Sequence, residues 1–282
     1  MQCGAGAAGG SVMRGPAIRA IGLITGWGVG PVAVPPDAVA AAGGRRVLSL
    51  ERPALDPERF RRSPRECVLG VAAVAAMLED AEEGPEAIAG EDTGFVFVTA
   101  AAYAASNRQH IEPRGSNVYF PYTAPAAISG EVAIEYGIRG PYGILIGGST
   151  AGADAIAHAA EMLEAGTCRR VLVLGVEIFE ECADLYDRAG GLDGPLVEAA
   201  CGLWLEPGEG ALTLSRGRGR RGGSGGARRR LGEMLACEPL AALALHRASG
   251  RQGPVEIHAA WRGETTSLRW SHAPYRARRR AA

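Results

Sequence analysis

Residues 140–177 constrain the fold of this chain more than any other stretch. Gly140-Pro141-Tyr142-Gly143-Ile144-Leu145-Ile146 reads as a turn leading into a short apolar strand. Gly147-Gly148-Ser149 is a tight bend carrying a hydroxyl, and the alanine-rich residues after it form a helix to about Ala165, where Gly166 stops it. After Arg169-Arg170, the run Val171-Leu172-Val173-Leu174-Gly175-Val176-Glu177 suits a strand buried on both faces. Strand, helix and strand in that order make a right-handed parallel crossover, which places the chain in the α/β class. Ser149 then stands at the positive end of a helix whose small residues allow close packing.

Composition narrows the function. The chain has 282 residues, enough to bury a substantial core, with 47% hydrophobic and 22% charged residues. The formal net charge is -1, so no global field draws in nucleic acid or an anionic membrane. All basic residues are arginines. The six cysteines (Cys3, Cys67, Cys168, Cys182, Cys201 and Cys237) form no Cys-x-x-Cys pair, which argues against a metal site or disulfide framework and fits a reducing cytoplasm. No apolar run approaches the roughly 20 residues of a membrane span. Met1 to Pro16 is expected to be a disordered lead-in without signal-peptide character, and Met13 is an alternative start.

The first element, Ile18 to Ile24, is a strand breaking into Thr25-Gly26-Trp27-Gly28, where neither a phosphate-loop nor a dinucleotide-binding spacing follows. Residues 32–56 are Pro/Ala/Gly-rich loop. Ser63 is placed to cap a helix with Pro64 in its first turn, and Val68, Val71, Ala72, Ala75 and Leu78 give that helix, Cys67 to Ala81, one buried face. Thr93 to Thr99 is a strand. Residues 101–125 are expected as a long loop bearing Tyr103, Asn107, His110, Asn117, Tyr119, Phe120 and Tyr122. Ala126 to Gly137 is a helix.

Beyond Glu177, residues 178–198 read as mixed loop. A hairpin is expected from Ala199–Glu206, a Pro207-Gly208-Glu209-Gly210 turn and Ala211–Leu214. Residues 215–230 are almost entirely Arg, Gly and Ser, a flexible linker that could bind RNA. Leu231 to Ser249 is a helix, and Pro254 to Trp270 one or two strands. The division expected is thus 1–16 lead-in, 17–214 main domain, 215–230 linker, 231–270 short α/β extension and 271–282 disordered basic tail.

Several of these segments together resemble the β-ketoacyl synthases, condensing enzymes with a thiolase-like fold. Arg139-Gly140-Pro141 matches the family's turn, Thr150-Ala151-Gly152 follows the nucleophile position, and Gly175-Val176-Glu177 stands at the strand end. Thr25-Gly26-Trp27-Gly28, the Arg61-Arg62 to Arg65 helix lead-in, Phe120-Pro121 and the 208–214 segment are similar to further family features. The resemblance covers residues 17–214, the N-terminal half of a ketosynthase, and implies a central mixed sheet with a buried small-residue helix. Two departures matter: Ser149 replaces the catalytic cysteine, and the second half's two catalytic histidine motifs and its Gly-Phe-Gly-Gly turn are not in the chain. His246 and His258 sit in no such motif.

The serine changes the chemistry. A thiol of pKa near 8.5 becomes a thiolate at a helix N-terminus, whereas a hydroxyl needs a general base within hydrogen-bond reach. Asp154 lies too far along the helix, and His158 lies about 13 Å along it at ~1.5 Å per residue. His110, on the long loop, is the remaining candidate base. The plain alternative is that Ser149 is a small polar residue fitting a tight bend.

Three functions follow as expectations. The resemblance implies a non-condensing partner subunit of the chain-length-factor kind, in fatty-acid or polyketide (for example aryl-polyene) assembly. It would pair with a complete ketosynthase, or with itself, through the strand after the Ser149 helix, and would work with an acyl carrier protein. Phe120 and Thr150 would face substrate, with no metal and no cofactor. Alone, such a half would expose the face its sister half covers. The second reading is a serine acyltransferase or thioesterase acting on carrier-bound acyl chains through Ser149. The third is a binding role through the Arg/Gly segment.

Overall fold

The computed structural model describes residues 11–271 apart from 57, 113–116, 190–191, 193, 220–225 and 252. The chain begins with β1 (Ser11–Thr25), β2 (Gly28–Val29), α1 (Ala38–Ala42), β3 (Val47–Leu48), α2 (Arg65–Ala81) and β4 (Thr93–Thr99). Next come α3 (Ala104–Ile111), α4 (Ala126–Tyr136), β5 (Tyr142–Ile146), α5 (Ser149–Glu164), β6 (Arg170–Glu177) and α6 (Ala183–Ala189). It continues with β7 (Leu196–Val197), β8 (Ala199–Arg218), α7 (Gly226–Leu231), α8 (Glu238–Ala248), β9 (Val255–Trp261) and β10 (Glu264–Ser271).

A mixed sheet runs in the order β2-β1-β8-β6-β4-β5, with β10 paired to β8 and β9 to β10. β4 is parallel to both β5 and β6, so the crossover expected from residues 140–177 is present: β5 leads through α5 to β6 on the far side of β4. β8 is antiparallel to β6 over residues 199–205 and to β10 over 211–218. β1 runs antiparallel along its other edge.

Alternation of side chains sorts the core onto two faces. Phe95, Phe97, Leu172 and Leu174 pack with Val68, Val71 and Met77 of α2. Val96, Val98, Val171 and Val173 point the other way, into the alanines of α5 and the leucines of α8. Burial on both faces explains why these strands are continuous apolar runs. α5 is covered in turn by α8, β9, β10 and a 3-10 turn at Leu235–Cys237. The expectation of an uncovered face is therefore corrected: elements within residues 235–271 lie over α5.

Other expectations change as well. β1 starts at Ser11, inside the expected lead-in, because residues 11–15 pair with 210–214 of β8; residues 1–10 lie outside the described residues. The predicted hairpin at 199–214 is a single strand, β8, because β1 pairs with both of its halves across a bulge between Gly15 and Ala17. Ser63 does not cap α2: Pro64 takes the N-cap position with extended backbone, and its carbonyl accepts from the amides of Cys67 and Val68.

The expected loop at 101–125 contains α3 and a 3-10 turn at Asn117–Thr123, while 178–198 contains a 3-10 turn, α6 and β7. Of the expected linker, residues 215–218 pair with β10, residues 226–230 belong to α7, and 220–225 lie outside the described residues. The helix expected over 231–249 is α8 alone. The basic tail after Ser271 also lies outside the described residues.

Candidate functional site

The site is built where β5 turns into α5. Gly147 donates its amide to Thr99 O at 3.0 Å, tying the turn to the end of β4, and Ser149 opens α5. Ser149 is 1% exposed. Its hydroxyl donates to the carbonyl of Ala260 at 3.1 Å and accepts from the amide of the same residue at 3.2 Å. Both groups belong to β9, so the edge of the C-terminal hairpin closes over the nucleophile position. Trp261 completes the cover: a Cβ on Gly148 would lie 2.3 Å from its ring. Glycine at 148 is required by that close approach.

Gly152, one turn further, meets the backbone of the 3-10 turn, where a Cβ would lie 2.2 Å from Ala236 O. The amide of Ala236 in turn donates to Glu177 at 3.2 Å. Glu177 ends β6 fully buried and also accepts from the amides of Ala100 at 2.6 Å and Ala101 at 3.4 Å, and from the Thr99 hydroxyl at 3.4 Å. Burial pushes its carboxyl up to about 8, against the lowering effect of those donors. One acid thus ties together the loop after β4 and the segment packed on α5.

Beside this lies an ionic cluster. Glu198 is buried and pairs with Arg65, which also grips Glu181 at 2.8 Å. Glu198 further accepts from the amides of Leu50 and Phe179, each at 2.7 Å, and of Glu180 at 2.9 Å. Burial alone would raise its carboxyl, but the Arg65 guanidinium and these amides hold it below the ordinary range. At the start of α2 a cleft of about 330 Å³ opens among Arg52, Arg61, Arg62 and Arg65. Arg61 and Arg62 are exposed.

The predicted site residues are only partly brought together. Ser149 and Thr150 are adjacent and buried at the head of α5. His110 lies in α3 with its ring 5.4 Å from that of Phe120 and is not a partner of the Ser149 hydroxyl, which is committed to Ala260. Phe120 is 64% exposed. No group of His, Cys, Asp and Glu able to hold a metal occurs among the described residues. No helix among them is long and apolar enough to cross a membrane.

Ala260, Trp261, Glu198 and Arg65 were missed from sequence as a group. Glu198 did carry a signal, as a single acid inside the apolar run Leu196-Val197-Glu198-Ala199-Ala200. Ala260 and Trp261 carried none.

The pairing strand also needs correction. β6, after the Ser149 helix, lies between β4 and β8 and has no free edge, whereas β5, before the helix, pairs among the described residues only with β4. Tyr142 and Ile146 of β5 are 71% and 56% exposed.

A mixed sheet with a buried small-residue helix opening on the nucleophile position defines half of a thiolase-like unit. The β-ketoacyl synthase N-terminal domain pattern matches residues 33–190, more than half of the chain. The chain therefore belongs to the β-ketoacyl synthase N-terminal domain family. It is similar to the Streptomyces cyaneus protein named polyketide beta-ketoacyl synthase 2, at 32% identity over 115 residues, a match spanning 37% of this chain and 27% of that protein.

Among solved structures it resembles the ishigamide ketosynthase/chain length factor, with a TM-score of 0.69, 16% identity, and coverage of 92% of this chain and 99% of that one. The Xenorhabdus doucetiae ketosynthase ApeO in complex with its chain length factor ApeC gives 0.61 at 14% identity, with 91% and 99% covered. A type II polyketide acyl-carrier protein in complex with its ketosynthase gives 0.74 at 14% identity, with 92% and 100% covered. At these identities the likeness is one of fold.

Proposed function

We propose that this chain is a non-condensing, ketosynthase-like subunit of the chain-length-factor kind, pairing with a complete ketosynthase and helping to shape its acyl tunnel. The observation that carries this is the commitment of the Ser149 hydroxyl to the backbone of Ala260 under the Trp261 ring. A hydroxyl that is buried, with two backbone partners and no base among the described residues, is a structural group. Nucleophilic catalysis requires the opposite arrangement.

Two surfaces support the pairing role. β5 offers an unpaired strand edge with exposed apolar side chains, the kind of edge that accepts a strand from a partner. The arginine-lined cleft at the start of α2 offers positive charge to an acidic acyl carrier protein. We place the protein in the cytoplasm, in keeping with its described cysteines, all free thiols. We take residues 17–214 as the family unit and 231–270 as the segment that closes it.

The test is co-purification with a ketosynthase of the same pathway, together with intact mass after exposure to an acyl-carrier thioester. A stable complex without an adduct is expected. The variant Ile146→Pro should abolish the complex and keep the fold, since proline is tolerated at a strand edge but removes an edge amide. An acyl adduct on the wild type that disappears in Ser149→Ala would replace this reading with a serine acyltransferase.

A further inference from the structure

A cleft of about 420 Å³ opens between α7, α8 and β9 and shares no lining residue with the arginine cleft of α2. Its volume is within the range of small-molecule sites, about 300–1,000 Å³. Its walls are of two kinds. Pro239, Ala242, Leu245, Val255 and Ile257 make an apolar floor, and Arg228, Arg230 and Arg251 stand around it.

The charge around the cleft is unevenly paired: two acids meet Arg228, whereas Arg230 and Arg251 carry the remaining positive charge. Arg228 bridges Glu233 at 2.5 Å and Glu238 at 3.4 Å through one terminal nitrogen, while its buried Nε–H meets no acceptor among the described residues. Such a donor is costly to leave unmade unless a ligand or water uses it. Among the described residues Arg230 donates to the neutral carbonyls of Pro35 and Val34, each at 3.2 Å, and pairs with no carboxylate. Arg251 is exposed at the rim. The lining carboxylates are Glu238, held by Arg228, and Glu256, which lies 3.8 Å from His258. His246 and His258 also line the cleft.

β9 contributes as well. It pairs with β10 on one side only, and Ala260 uses its amide and carbonyl on the other side, toward Ser149. Because these groups alternate along an antiparallel strand, Glu256 and His258 direct theirs to that same edge, beside the cleft.

We propose that this cleft is a binding site for a small amphipathic anion, with a carboxylate or phosphate head at Arg230 and Arg251 and a short alkyl body on the floor. The site is separate from Ser149 and needs no acylation of the chain. Calorimetric titration of the full-length protein with sodium octanoate and with octyl phosphate tests it, with 1-octanol and acetate as the neutral and chainless controls.

Saturable binding of either amphipathic anion, with both controls silent, is expected, and the tighter of the two identifies the head group. Arg251→Glu, on the surface, should weaken that binding about tenfold or more. Ala242→Leu, which fills the floor, should weaken it similarly. Circular dichroism would verify that both variants are folded. Absence of saturable binding, equal binding of octanol, or an affinity unchanged in both folded variants would overturn the proposal.

Discussion

Ser149 and Ala260, separated by 111 residues in sequence, hold each other at two points: one hydroxyl bonds both the amide and the carbonyl of one strand residue. The edge of β9 thereby occupies both the donor and the acceptor capacity of the Ser149 hydroxyl. Ser149→Ala should cost about 1–3 kcal/mol by stranding two backbone groups, lowering the melting temperature by several degrees. Alkylation of a Ser149→Cys variant reports the cover directly. No labelling above the parent protein is expected, with rapid labelling once Trp261→Ala is added. Rapid labelling with Trp261 in place would show that the hairpin does not shield the position.

Gly152 sets how closely α5 approaches the 3-10 turn at Leu235–Cys237. A side chain there would collide with the carbonyl of Ala236, and backbone cannot move aside as a flexible side chain can. Gly152→Val should therefore destabilise the fold by about 1–3 kcal/mol or more. The loss is read in a urea titration against the half-buried control Gly130→Ala, whose added methyl meets nothing among the described residues.

Arg65 is the cation that makes buried Glu198 tolerable. Its removal in Arg65→Met leaves a buried carboxylate with amide donors but no counter-charge, at an expected cost of about 3–5 kcal/mol. Because Glu198 is held below its ordinary value in the folded state, its contribution is present above that value and is lost as pH falls through the depressed one. The double variant Arg65→Met with Glu198→Gln should recover part of the loss in thermal melts at pH 7. A double variant no better than the single one would count against the pairing.

Glu177 behaves in the opposite sense. Its folded-state value, about 8, is above the ordinary 4.5, so the folded state holds the proton more tightly than the unfolded chain. Its contribution is fully present below pH 4.5 and is lost as pH rises toward 8, with a slope of at most ~1.4 kcal/mol per unit. Glu177→Gln keeps an acceptor for Ala100 and Ala236 but cannot ionise. Its melting temperature relative to wild type should therefore climb between pH 5 and 8. A difference that stays constant across that range would contradict the assignment.

Much of this architecture was legible in the sequence. The crossover at 140–177 follows from an apolar strand, a double-glycine bend, a run of small helical residues and a second apolar run, all local signals. Ser149 at the nucleophile position followed from the same stretch. The single strand β8 was not legible, because Pro207-Gly208-Glu209-Gly210 carries the chemistry of a turn. Only pairing with β1 on one side, and with β6 and β10 on the other, keeps it extended. His110 was misplaced for a related reason: α3 is a short polar helix whose position is set by Phe120 and the α6 region, not by its own periodicity.

The sequence by itself thus determined the α/β class, the crossover and the serine at the head of its helix, since each depends on residues within a few turns of one another. Only the tertiary structure decided what that serine touches. The backbone of Ala260 has no side-chain signature, and the space beside Gly148 acquires meaning only when Trp261 occupies it. Hydrogen bonds and van der Waals contacts act over a few ångströms, so a contact across 111 residues is fixed by how the chain packs and not by any local pattern.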